Sequence, residues 1–328
     1  MIKFGVIGTN WITDKFLEAA KELEDFYLTA VYSRTEEKAR EFANTHGVSH
    51  IFTNIEEMVQ SNTIDAVYIA SPNSLHANQA ILCMNNGKHV LCEKPLASNT
   101  TEAQAMIDAA QKNNVLLMEA MKSTCIPSFL AIKENLHEIG PVRRYFANFC
   151  QYSSRYDEYK KGNILNTFNP AFSNGALMDI GVYCITPLVH LFGEPLSIRA
   201  MGTVLDSGVD GQGSIIMQYE HLEAVVMYSK ITQSELQNEI QGENGRIVIN
   251  KISSPSHVYI SYRNGKQKEL SMPQKENTMY YEVKEFIELI KNNRTESTIN
   301  TFARSLIVTK IMDEVRQQLG IVYPADYK

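Results

Sequence analysis

Two short stretches of this chain carry residue types that could hold or move a proton. The first is His89-Val90-Leu91-Cys92-Glu93-Lys94-Pro95, where a glutamate and a lysine stand side by side at the end of an apolar strand. An ionisable group carried into a domain interior is costly unless it has a partner or a task. Pro95 removes a backbone donor and restricts the backbone of Lys94, which limits where the ammonium can point. The second stretch is Gly175-Ala176-Leu177-Met178-Asp179-Ile180-Gly181-Val182-Tyr183. Asp179 and Tyr183 are four residues apart, hence one turn apart on the same face of a helix. The structural alternatives are a salt bridge for Glu93 and Lys94, a helix-start carboxylate for Asp179 and a half-buried aromatic for Tyr183.

The elements that must position these groups follow from the hydrophobic periodicity. Strands at Lys3–Ile7, Tyr27–Tyr32, Ala66–Ala70, His89–Cys92 and Val115–Glu119 alternate with helices at about 11–23, 36–46, 73–86 and 101–113. Short buried strands alternating with helices mean right-handed crossovers and a doubly wound parallel sheet. After about residue 122 the pattern changes. A long strand over 143–153 and a helix over 176–192 precede strands at hairpin spacing over 214–270, and helices at about 279–291 and 301–319 finish the chain. That order predicts an α+β domain on an open, mainly antiparallel sheet. The expected domains are therefore 1–121, binding a dinucleotide, and 122–328, binding substrate and mediating assembly.

Gly8, Thr9, Asn10, Trp11, Ile12 and Thr13 occupy the first strand-to-helix turn, where a helix N-terminus suits a pyrophosphate. Gly8, Asn10 and Thr13 take the three places of the G-x-G-x-x-G/A fingerprint. Asn10 is expected to keep the turn by tolerating left-handed backbone. At the end of the second strand an NAD site wants a carboxylate; this chain has Ser33-Arg34, with Lys38 a turn further on, which suits the 2′-phosphate of NADP. NAD remains admissible, since Arg34 could be a solvated loop cation. Ser71, Pro72, Asn73 and His76 follow the Ala66–Ala70 strand at the edge where such sheets bind ligands. Asn73 or Ser74 could equally cap the next helix, and His76 could be a surface residue.

Composition narrows the class. With 328 residues, 44% hydrophobic and 21% charged, the chain has the makings of two ordinary globular domains. A net charge of −6 without a basic run argues against nucleic acid. Five scattered cysteines, without a C-x-x-C pair, suit free thiols in a reducing compartment and disfavour a metal site. Met1-Ile2-Lys3-Phe4 enters a strand directly, leaving no room for a signal peptide, and no apolar run is expected to reach membrane-spanning length. A cytoplasmic protein is the expectation.

Four segments together resemble one family: Gly5-Val6-Ile7-Gly8, Ala70-Ser71-Pro72-Asn73-Ser74-Leu75-His76, Gly87 to Pro95, and Gly175 to Tyr183. The chain is similar, over its full length, to the glucose-fructose oxidoreductase / inositol dehydrogenase / rhizopine catabolism family of NAD(P)-dependent oxidoreductases. Met118-Glu119-Ala120-Met121 resembles the dihydrodiol dehydrogenase branch. The resemblance implies a Rossmann domain, Lys94 in the catalytic centre, Glu93 near the nicotinamide, Asp179 on the substrate and Tyr183 at a position held by histidine or tyrosine. It also implies a homodimer or larger homo-oligomer formed through the C-terminal sheet.

The implied activity is hydride transfer between the nicotinamide and a secondary alcohol or carbonyl of a sugar, polyol or related small molecule. A free tyrosine titrates near 10, too high for a base at neutral pH, and a lysine ammonium nearby would favour the phenolate. Tyr183 would then carry the proton, with Lys94 tuning it and Asp179 orienting a neighbouring hydroxyl; proton transfer by Lys94 itself stays open. Lys122, Arg155, Tyr156, Tyr159, Asn166, Phe168 and Asn169 are expected to line the pocket of a hydroxylated, carbohydrate-like ligand. Two rival readings are a catalytically silent NAD(P)-binding sensor and a partner-binding protein that uses the open sheet.

Overall fold

A computed structural model describes residues 1–327. In the first part of the chain strands and helices alternate: β1 (Ile2–Ile7), α1 (Trp11–Ala20), β2 (Phe26–Tyr32), α2 (Glu36–His46), β3 (His50–Phe52), α3 (Ile55–Gln60), β4 (Ala66–Ile69), α4 (Asn73–Asn85), β5 (His89–Glu93), α5 (Thr100–Asn113) and β6 (Leu117–Ala120). The strands pair in parallel in the order β3-β2-β1-β4-β5-β6, the doubly wound arrangement. Central strands β1, β4 and β5 are buried on both faces, which is why they read as continuous apolar runs. The order reverses between β1 and β4, and a crevice opens beyond the carboxyl ends of strands at such a switch point. Neither β3 nor α3 is expected from the periodicity, because β3 is a three-residue edge strand with no residue fully buried.

Beyond β6 come α6 (Pro127–Asn135), β7 (Val142–Cys150), α7 (Ser154–Lys160) and α8 (Val182–Phe192). Seven more strands follow: β8 (Ser197–Val204), β9 (Asp210–Gln218), β10 (Glu223–Ser229), β11 (Asn238–Gly242), β12 (Gly245–Ile249), β13 (Val258–Tyr262) and β14 (Gln267–Glu269). With β7 they form one sheet in the order β14-β13-β12-β11-β7-β10-β9-β8. Only β7 and β10 pair in parallel; the others are antiparallel. β8 escaped the sequence reading because its residues are mostly exposed and lack a clean alternation. α8 is fastened to the sheet by the buried Tyr145 hydroxyl, which donates to the Cys184 carbonyl at 2.9 Å.

The stretch Pro170–Phe192, whose most apolar window has a mean hydropathy of 1.5, is long and apolar enough to cross a membrane by composition. This corrects the expectation that no apolar run reaches that length. The stretch is broken into short helical turns before α8, and 78% of its most apolar window is buried inside the fold.

Two helices close the chain, α9 (Met279–Lys291) and α10 (Phe302–Leu319). The chain divides into a first compact unit of residues 1–121 with 275–302 and a second of 122–274 with 303–328. The expectation had assigned all of 122–328 to the second domain. Segment 275–302 packs with the first unit because α9 brings Phe286 within 5.9 Å of the Phe4 ring. Asn300 Nδ2, buried, also donates to the Glu119 and Met121 carbonyls at 3.3 and 3.2 Å.

In the second unit the start of the helix bearing Asp179 and Tyr183 is set by Asp210, the first residue of β9. The Leu177 N–H donates to Asp210 Oδ2 at 2.7 Å, and the carboxylate is fully buried. Gly175, at a φ of +151°, leaves the room: a Cβ there would overlap Asp210 Oδ1. Burial pushes the Asp210 carboxyl up to about 6, against the lowering pull of the Leu177 N–H. A carboxyl whose folded pKa is raised gives stability that is present below its unfolded value and is lost as pH climbs through about 6. Asp210→Asn removes this titration. Urea unfolding at pH 4 and pH 7.5 should therefore show wild type losing up to about 3 kcal/mol more than the variant across that range.

Candidate active site

At the nucleotide end of the first unit, Gly8 turns the chain from β1 into α1 with a φ of +105°, and a Cβ there would stand 2.6 Å from the Ala70 carbonyl oxygen. Glycine is required both by the backbone and by the close approach. Asn10 is extended (φ −108°, ψ 174°), not left-handed as expected. Its Oδ1 accepts from the Ile12 N–H at 3.0 Å and its Nδ2 donates to the Ala70 carbonyl at 2.8 Å. It thus caps α1 and ties the turn to the end of β4, a task glycine could not perform. Thr13, fully buried, donates through Oγ1 to the Gly8 carbonyl at 2.9 Å, so a hydrogen bond replaces the close packing of a third glycine. Thr9 lies in the turn, and Trp11, 64% exposed, is the first residue of α1.

Ser33, just past β2, is buried, and its N–H donates to the Phe52 carbonyl at 3.1 Å. Arg34 and Lys38 are exposed and, among the described residues, make no ion pair, whereas nearby Arg40 is held by Glu36 at 2.5 Å. Two unengaged cations and a buried hydroxyl beyond a glycine cradle fit a dinucleotide that carries a 2′-phosphate.

Past β4, Ser71 Oγ donates to Gln79 Oε1 at 2.7 Å, and Pro72, not Asn73 or Ser74, occupies the N-cap of α4. His76 is fully buried, which corrects the alternative of a surface residue. Its Nε2 faces the Ser71 carbonyl at 2.9 Å and its Nδ1 the Pro95 carbonyl at 3.0 Å. The ring therefore joins the loops that follow β4 and β5 from behind. Burial holds it below the usual histidine range, against the pull of the two carbonyls.

Glu93 ends β5, nearly buried; its Oε1 accepts from the Tyr68 hydroxyl at 2.5 Å and its Oε2 from the Lys94 N–H at 3.2 Å. Lys94 is half-buried and joined to Pro95 by a cis peptide bond. Leu96 N–H donates to Glu119 Oε1 at 3.0 Å, so a second buried carboxylate, on β6, holds the same loop. Neither Tyr68 nor Glu119 had been assigned this supporting role, although a carboxylate inside the apolar run of β6 was a usable signal. Cys92 is inert, its thiol pushed well up by burial and then by the charges of Glu93 and Glu119.

In the second unit Asp179 and Tyr183 are joined by a π-helical turn, Leu177–Gly181, in which the Val182 N–H reaches the Leu177 carbonyl five residues back. The expected plain α-helix is thus widened where the two side chains are carried, a distortion common at functional sites. α8 runs on past Pro187, which offers no N–H to the Tyr183 carbonyl. The Tyr183 ring lies 5.9 Å from that of Phe149 on β7. Asp179 Oδ2 is paired with the Nζ of Lys230, just beyond β10. Lys230 was missed, although a lysine at the end of an apolar strand is the same signal that singled out Lys94. Of the expected pocket residues, Phe168 is buried at the hub of Tyr156 and Tyr159, 5.8 and 5.6 Å away, so it is core rather than lining. Arg155 donates to Thr167 Oγ1 at 2.6 Å and Asn169 caps Ala171, while Asn166 stays exposed and Lys122 half-buried.

A Rossmann unit with this turn and these cations, in one chain with a carboxylate–phenol helix, defines the class of NAD(P)-dependent oxidoreductases. Residues 2–121 match the oxidoreductase family with NAD-binding Rossmann fold, GFO/IDH/MocA, and residues 130–248 match the GFO/IDH/MocA C-terminal domain. The chain belongs to that family. It is 57% identical over 326 residues, 99% of each chain, to scyllo-inositol 2-dehydrogenase (NADP(+)) IolU of Bacillus subtilis. It is 33% identical to trans-1,2-dihydrobenzene-1,2-diol dehydrogenase of Xenopus tropicalis, covering 98% of this chain and 99% of the other. The crystal structure of aldose-aldose oxidoreductase from Caulobacter crescentus complexed with glycerol shares the fold, with a TM-score of 0.86 at 21% identity over 97% of each chain.

Gly8→Ala should weaken NADPH binding by about tenfold or more, because the added methyl has to displace the Ala70 carbonyl. Titration of nicotinamide fluorescence measures it; unchanged affinity would mean that the turn is not the cradle.

Proposed function

We propose that the chain is an NADP-preferring dehydrogenase acting on a secondary alcohol, or the matching carbonyl, of a cyclic polyol or sugar. The observation that carries the cofactor reading is the end of β2, where Ser33 and the unpaired Arg34 and Lys38 stand in place of the carboxylate that would take a ribose hydroxyl. The NADP(+) dependence and the cyclitol substrate in the name of the Bacillus relative agree with it. NAD is the second cofactor to test.

When bound, the nicotinamide gives or takes the hydride. Gly8, Thr9, Asn10, Trp11 and Ile12 hold its pyrophosphate side, and Ser33, Arg34 and Lys38 the 2′-phosphate. Ser71, Pro72, Asn73 and Glu93 line the nicotinamide side, with His76 fixing their loop from behind. Tyr183 exchanges the hydroxyl proton, Lys94 supplies positive charge for the developing alkoxide, and Asp179 orients the neighbouring hydroxyl. A cytoplasmic setting agrees with five cysteines that are all free thiols. Assembly into a homo-oligomer through the second unit's sheet agrees with Met201 and Ile216, 81% and 54% exposed on β8 and β9.

Arg34→Ala should raise the Kd for NADPH about 10- to 100-fold and leave NADH nearly unchanged, as loss of one charge-assisted phosphate contact requires. Equal weakening of both dinucleotides would remove the 2′-phosphate assignment. In steady-state assays with scyllo-inositol and NADP, Lys94→Ala and Tyr183→Phe should each lower kcat about 10²- to 10⁴-fold while NADPH still binds. Wild-type kcat in both variants would refute the assignment of these two roles.

A further inference from the structure

We propose that Lys230 is a specificity-determining residue, forming with Asp179 a donor–acceptor pair that reads two adjacent hydroxyls of a polyhydroxylated ring. The inference deepens the dehydrogenase reading above and rests on it.

Lys230 is 9% exposed, and its ammonium is paired with Asp179 Oδ2. Its backbone is pinned on both sides: the N–H donates to the Gly211 carbonyl at 2.9 Å, and its carbonyl accepts from the Ser153 N–H at 2.9 Å. The lysine root is thus fixed to the end of the sheet, beside α7. A buried ion pair is weak evidence for stability, since apolar residues of similar volume often serve as well. A lysine held this firmly in so little solvent calls for another purpose.

Lys230 also keeps donors to spare. An ammonium has three N–H donors, and among the described residues Asp179 is the only polar side chain that Lys230 engages. The Asp179 side chain keeps 27% exposure against 11% for that of Lys230, so a ligand reaches the carboxylate more readily than the ammonium stem. One ligand hydroxyl can donate to Asp179 while its neighbour accepts from Lys230. A vicinal diol is the chemical group that meets both demands at once. Because Asp179 lies four residues before Tyr183 across the π-turn, the reading would fall next to the carbon whose hydroxyl loses its proton. Buried polar groups that expect a hydroxyl reject an analogue lacking it far more strongly than an apolar pocket can.

The test compares scyllo-inositol with a monodeoxy-inositol lacking the hydroxyl beside the reacting carbon, in wild type, Lys230→Met and Lys230→Gln. In wild type, kcat/KM for the deoxy compound should be lower by about 100-fold or more. Lys230→Met should lose about 100-fold on the parent, mainly through KM, and less than about threefold on the deoxy compound, so that discrimination collapses. Lys230→Gln, which keeps a donor without the charge, should retain part of the discrimination and covers the case in which the methionine variant fails to fold. NADPH affinity should be unchanged in both. Calorimetric binding of the two cyclitols to the NADPH-loaded protein should follow the same pattern without turnover.

Equal losses on both substrates would show a merely structural lysine and overturn the proposal while leaving the dehydrogenase reading standing. So would undiminished discrimination in both variants. If wild type neither binds nor turns over any cyclitol or sugar, the polyol reading fails and the proposal with it.

Discussion

A charged or polar side chain removed from water has to be given a partner, and that demand organises the functional parts of this protein. Glu93 is held by the Tyr68 hydroxyl and Glu119 by the Leu96 N–H. Asp210 is held by the Leu177 N–H, and Asp179 by Lys230. In each case the partner belongs to a neighbouring strand, loop or helical turn, so satisfying the charge also fixes the local backbone. The loop bearing Lys94 and the helix bearing Tyr183 are placed this way. Glycine serves the same end at Gly8 and Gly175, where a carbonyl or a carboxylate occupies the space of a side chain.

Family membership and physical reading agree on the class of reaction while resting on different grounds. The turn after β1, the cations after β2 and the paired loops after β4 and β5 occupy successive strand ends of one parallel sheet. Such edges bind ligands because helix dipoles and free amides gather there. The second unit carries an acid and a phenol on one widened helix.

Most of the first unit was legible because its buried strands and amphipathic helices leave strong periodic signals in the sequence. Glu93-Lys94-Pro95 and the Asp179–Tyr183 spacing were legible because ionisable groups stand out in apolar runs. What escaped has physical causes. β3 and β8 are edge strands whose exposed residues carry little pattern. Asn10 was expected to bend the turn but caps it through the Ile12 N–H, and its second bond, to the Ala70 carbonyl, reaches sixty residues away. The burial of His76 escaped for a similar reason: both its partners are carbonyls, which no residue letter announces. The return of segment 275–302 to the first unit is a tertiary choice, and its helix reads like any other amphipathic helix.

That return shapes how the protein comes into being. The nucleotide-binding unit is not finished when its sixth strand leaves the ribosome; it waits for α9, after nearly the whole second unit has been made. The second unit in turn lacks α10 until the first has received its last segment. Neither half can be excised as an unbroken stretch of chain. Domains that occupy contiguous segments can fold one after the other during synthesis; here the two halves must mature together.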